Sequence, residues 1–125
     1  MNDSIRRLPD AELEVMQALW ACPAPAARAD IEAALFPHHP MATTTLLTLL
    51  SRLSEKGFVA VTKAGRRSHY TALVSKDSYL AAQGRSFFHK LCGSSVSAFA
   101  VALSASGLSR EDLEELRDLL ERGQL

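Results

Sequence analysis

Four threonines, Thr43, Thr44, Thr45 and Thr48, stand within six positions of this chain, and Ser51, Arg52, Lys63, Arg66 and Arg67 follow close behind. Hydroxyls at that density offer hydrogen bonds to base edges or phosphate oxygens, and their methyls suit thymine; lysine and arginine displace the counterions of a polyanion. This is binding chemistry rather than covalent chemistry. The sequence has no G-x-S-x-G, no H-E-x-x-H, no Walker glycine loop and no G-x-G-x-x-G, so an enzyme is not expected. Cys22 and Cys92 belong to no C-x-x-C pair, and His38, His39, His69 and His89 do not cluster with them. No metal, cofactor or disulfide framework is expected.

The 14 basic and 14 acidic side chains cancel, which on its own argues against nucleic acid. Their distribution reverses that argument. Residues 41–74 set Arg52, Lys56, Lys63, Arg66 and Arg67 against Glu55 alone, whereas residues 108–123 carry six acids against Arg110, Arg117 and Arg122. The first region suits a polyanion and the second does not. Each feature has a plainer reading: threonines that solvate a helix, Arg52 paired with Glu55, arginines facing water at a hairpin tip. Their coincidence favours a single binding surface.

The elements that must hold these residues can be read from periodicity. Leu13, Met16, Ala18, Leu19 and Trp20 predict a helix over roughly residues 9–21, stopped by Pro23 and Pro25; Ile31, Ala34 and Leu35 predict a second over about 27–36, ended by Pro37. A third runs from Thr43, the expected N-cap, to Gly57. At 100° per residue Leu46, Leu49, Leu50 and Leu53 form one stripe, with Thr44, Thr48, Ser51 and Glu55 opposite and Leu47 on a flank where burial is incomplete. The period then drops to two in FVAVTK (58–63) and HYTALV (69–74), separated by AGRRS, a β-hairpin whose tip carries two arginines.

Three helices and a basic hairpin, in that order, describe a winged helix-turn-helix over residues 1–74. The expected fold class is mainly α with a small β-hairpin wing, followed by a helical dimerisation region over residues 75–125. That region reads as helices over about 75–92, 94–105 and 109–122, the last opened by a capping box of Ser109 and Asp112. Some 50 residues make a poor independent core, so a homodimer is expected, with Phe87, Phe88, Leu91, Val96, Phe99, Val101, Leu103, Leu113, Leu116 and Leu120 at the contact. The longest nearly apolar stretch, 96–103, is too short to span a bilayer, and the start MNDSIRRLPD lacks a leader's apolar region, so a cytoplasmic protein is expected.

The segments LPDAELEVMQALW, TTTLLTLLSRLSEKGFV and HYTALV, with the tail LSREDLEELRDLL, resemble the penicillinase and methicillin-resistance repressor family, to which copper-responsive repressors also belong. The resemblance implies a dimeric winged-helix repressor of antibiotic-resistance genes that occupies a dyad-symmetric DNA operator. It also implies release by proteolysis in the dimerisation helices, triggered by a membrane-bound sensor. Three positions depart from the family. Ala102 and Leu103 stand, after one small gap, where the family's cleaved Asn-Phe pair stands. Leu47 replaces a common arginine, which turns base readout toward thymine methyls. No cysteine follows Cys92, where copper-responsive members carry a metal site. The rival from another class is a winged-helix protein-interaction module, which an apolar patch centred on Leu47 would mark.

Overall fold

A computed structural model describes residues 5–123 of the chain; Met1–Ser4, the start of the segment expected to lack a leader, lie outside them. Helix α1 (Asp10–Trp20) begins directly after Pro9, with Asp10 and Glu12 in its first turn, where the helix N-terminus favours negative charge. It buries Val15, Met16, Ala18 and Leu19, the apolar face that the 3.6-residue spacing sets out. Glu12 is buried with them. Its carboxylate accepts a hydrogen bond from the Lys56 ammonium at the other end of the motif, which satisfies the buried charge.

A two-residue strand, β1 (Ala26–Ala27), leads straight into α2 (Arg28–Leu35), which buries Ile31 and Leu35. Helix α3 (Thr43–Glu55) buries Leu46, Leu49, Leu50 and Leu53, the expected stripe. Its N-cap is Ala42 rather than Thr43: Thr43 already lies within the helix and turns its hydroxyl to Glu32. Gly57, with φ +82, takes the left-handed conformation that ends the helix.

The wing consists of β2 (Val59–Ala64) and β3 (Arg67–Ala72), antiparallel, with Val59 opposite Ala72 and Ala64 opposite Arg67. Only Gly65 and Arg66 remain unpaired between them. Gly65 has φ +67 and Arg66 does not share a positive φ, a requirement glycine meets at the first loop position. The expected five-residue loop is thus shorter, because Ala64 and Arg67 continue the ladder. β1 adds a third strand on the far side of β3, with Ala26 opposite Tyr70 and Ala27 opposite His69.

Helix α4 (Lys76–Ser86) turns Tyr79 and Ala82 into the same core. The Tyr79 hydroxyl accepts the Leu8 amide at 2.8 Å, and its ring lies against Trp20 and Phe58 at 5.8 and 6.0 Å. The Trp20 indole donates to the Val74 carbonyl at 2.9 Å. These anchors belong to the first of the chain's two compact units, which ends at Gln83.

The second unit, from Gly84, continues as a π-helical turn over Phe87–Leu91. Left-handed Gly93 and Ser94 follow it, and Ser94 shares a 2.7 Å hydrogen bond with the His89 ring. Helix α5 (Val96–Ala105) is capped by the Ser95 hydroxyl on the Ala98 amide. Helix α6 (Arg110–Glu121) carries the expected capping box: Ser109 and Asp112 each accept the other's amide, at 3.0 and 3.1 Å. No residue of α5 or α6 is buried within the chain.

Candidate nucleic-acid interface

Four leucines press one side of α3 into the core, so the other side must face outward, and Thr43, Thr44, Thr45, Leu47, Thr48, Ser51 and Arg52 are all exposed. Two of the hydroxyls are already committed. Thr43 donates to Glu32 Oε2 at 2.8 Å, tying the start of α3 to α2, and Thr48 donates to the Thr44 carbonyl one turn back at 3.0 Å. Thr48 therefore meets a partner as an acceptor and a methyl. Thr44 and Thr45 have no side-chain hydrogen bond among the described residues, which leaves both roles open to them. Arg52 likewise forms no ion pair with Glu55 there, which removes the plainer reading of that residue.

Lys63, Arg66 and Arg67 are exposed on the wing, Arg66 in its two-residue loop and Arg67 at the first position of β3. None of the three pairs with an acid among the described residues, so their charge is available to an outside partner. Helix and wing open onto the same side of the unit: Leu47 of α3 lines a cleft of about 480 Å³ together with Arg66, Arg67, Ser68 and Tyr70 of the wing. Ala27, Arg28 and Ala29 close its third side. Sequence reasoning missed Arg28, because the strand that brings it there is too short to show a period.

Leu47 is 41% exposed and Val61 of the wing 44%. Between them runs a smaller notch of about 260 Å³, lined also by Leu50, Ser51, Ser54, Glu55 and Tyr70. Two exposed apolar side chains flanked by Ser51, Ser54 and Glu55 make a narrow apolar strip, less than the broad patch a protein partner requires. The strip is of a size to contact methyl groups.

The residues expected at a dimer contact fall into two groups. Phe87 and Phe88 stack on Phe99 of the same chain at 5.8 and 5.7 Å, edge to face, and so build the second unit's own aromatic cluster. Leu103, Leu113 and Leu116 are half-buried. Leu91, Val96, Val101 and Leu120 point outward, Leu91 being 77% and Val101 67% exposed. Ala102 and Leu103 are half-buried inside α5.

Burial, and to a lesser extent the Asp30 carboxylate, push the Cys22 thiol above its ordinary value of 9.0. It stays a thiol at neutral pH and donates to the Ala18 carbonyl at 3.2 Å. No group of three or more His, Cys, Asp or Glu side chains converges among the described residues. No single helix there is long and apolar enough to cross a membrane.

Comparison with known proteins agrees with this geometry. Residues 8–122 match the penicillinase repressor family. The chain is 29% identical over 118 residues to the penicillinase repressor of Bacillus licheniformis, covering 94% of this chain and 91% of that one. It is 25% identical over 123 residues to the methicillin resistance regulatory protein MecI of Staphylococcus aureus (strain N315), covering 98% and 99%. Among solved structures, it resembles the monomeric form of Bacillus licheniformis BlaI in complex with the blaP half-operator. The TM-score is 0.50 at 31% identity, over 60% of this chain and 90% of that one.

Proposed function

The chain belongs to the penicillinase repressor family, a family of transcriptional repressors and not of enzymes, and from that premise we propose that it is a dimeric, sequence-specific repressor that blocks transcription by occupying a dyad-symmetric operator. DNA binding is assigned to residues 1–74 and dimerisation to residues 75–125. Thr44, Thr45, Leu47 and Thr48 read base edges in the major groove, with Thr43 and Ser51 at the margins. Arg52, Lys63, Arg66 and Arg67 neutralise phosphates. Action on operator DNA places the protein in the cytoplasm.

One observation carries this reading: Leu47, on the exposed flank of α3, and the arginines of the wing line a single cleft, so one duplex can meet both elements. The exposed Leu91, Val96, Val101 and Leu120 support a second copy of the chain as the cover of the second unit. Two such copies require half-sites about one helical turn, roughly 10 bp, apart.

Selection from random duplexes followed by titration in increasing salt tests the proposal. The expected outcome is a two-half-site consensus and a slope of log K against log salt of about −7, the limit in which all eight cations of a dimer touch phosphate. A slope near zero, or a single unpaired half-site, refutes it.

Release by a membrane-bound protease sensor is the second limb of the proposal, and the resemblance supports it. The Ala102–Leu103 bond lies inside α5, so cutting there requires local unwinding. In cells challenged with a β-lactam, mass spectrometry is expected to find a fragment ending at Ala102. A chain that stays intact throughout removes this limb and leaves DNA binding untouched.

A further inference from the structure

The wing and the first turn of α2 are joined by hydrogen bonds. Ala26 and Ala27 pair with Tyr70 and His69 of β3, and α2 begins at the next residue. Arg28 therefore lines the same cleft as Arg66 and Arg67 of the wing and Leu47 of α3. Three guanidinium groups border this concavity and no acid lines it.

Arg28 is paired with Glu32, whose Oε1 lies 3.7 Å from its Nε while the other carboxylate oxygen accepts from Thr43. At that separation on an exposed helix face the pair is loose. A guanidinium so held is readily exchanged to a phosphate, which it can bind through two parallel hydrogen bonds. The Asp30 carboxylate in the same turn is occupied, accepting the Ala27 amide at 3.0 Å.

We propose that Arg28 is a further DNA contact and that the cleft it shares with Arg66 and Arg67 seats a phosphodiester of the operator backbone, with Glu32 holding Arg28 until DNA competes for it. The proposal rests on the DNA-binding reading above and adds to it a residue on α2 and the place where the backbone runs. Arg28 then contributes affinity without sequence information. Glu32, anchored to Thr43, couples that contact to the start of the base-reading helix.

Arg28→Ala on the full chain tests this, since alanine suits an exposed helix position and a thermal melt confirms the fold. The expected result is weaker binding to operator and unrelated duplex alike, with the salt slope reduced by about 0.9 per subunit, or about 1.8 for a dimer. Glu32→Gln keeps an acceptor for Thr43 and removes the competing charge; it is expected to tighten binding to all duplexes several-fold. That gain should shrink when Arg28 is already alanine. A slope unchanged by R28A while R66A/R67A lowers it overturns the proposal, as does an E32Q gain of equal size in both backgrounds. Failure of the unaltered protein to bind any duplex at low salt would instead strike the DNA-binding reading itself.

Discussion

Under the proposed DNA-binding reading, Thr48 and the wing arginines divide the work of binding in a way that substitutions separate. With its proton given to the Thr44 carbonyl, Thr48 can accept a hydrogen bond or present its methyl but cannot donate without breaking the helix-side bond. Thr48→Val keeps the shape and removes the acceptor, so its expected effect is a change in sequence preference of about 1 kcal/mol, roughly fivefold, at one operator position. Affinity for unrelated DNA should stay as it was. Arg66→Ala with Arg67→Ala should do the reverse, weakening all duplexes together and lowering the salt slope by about 3.6 for the dimer. Binding titrations on operator and scrambled duplexes distinguish the two. Cys22 yields a prediction of another kind. Its folded value is raised, so the unfolded thiol ionises first and the folded state holds the extra proton. Stability should fall as pH climbs past 9.0 toward the higher folded value. Urea titrations across that range should show the slope, and Cys22→Ser should flatten it.

At the scale of elements, the Glu12–Lys56 contact pins the start of α1 to the end of α3. Breaking a fully buried pair costs about 3–5 kcal/mol. The Lys56 side chain is 41% exposed, and water entering beside it should reduce the cost of Lys56→Ala to about 2 kcal/mol. Lys56→Ala combined with Glu12→Leu should recover most of that loss, because no buried charge is then left unpaired. Denaturant midpoints decide the matter. Most of these elements were legible in the sequence, because the leucines of α3 repeat with the helical period and the wing strands with a period of two. Ser109 and Asp112 likewise announced α6 by their spacing. β1 was not legible: two alanines carry no periodicity, and their pairing to β3 is set by tertiary structure. Arg28 was hidden for the same reason. Thr43 was misplaced by one position because a threonine looks like an N-cap, whereas Glu32, eleven residues earlier, claims its hydroxyl. The reach of α4 into the first core was equally invisible, since Tyr79 gains its partners Leu8, Trp20 and Phe58 only in three dimensions.

At the scale of the whole molecule, the two units differ in how they are held. The first closes around a continuous core from Leu8 to Tyr79. The second stacks three phenylalanines and leaves the outer faces of α5 and α6 to solvent. Val101→Asp places a charge on such a face. Sedimentation should then show monomers, and affinity for a two-half-site operator should drop by about 100-fold or more as the second binding event loses its tether. Affinity for an isolated half-site should not change. A dimeric V101D protein would move the contact elsewhere. The absence of buried side chains in α5 and α6 also bears on gene control. When chains are scarce enough to live mostly apart, the population of pairs grows as the square of their number. In the proposed dimeric repressor, promoter silencing then responds more steeply than linearly to synthesis and turnover of the protein, so a modest fall in copy number is enough to open the gene.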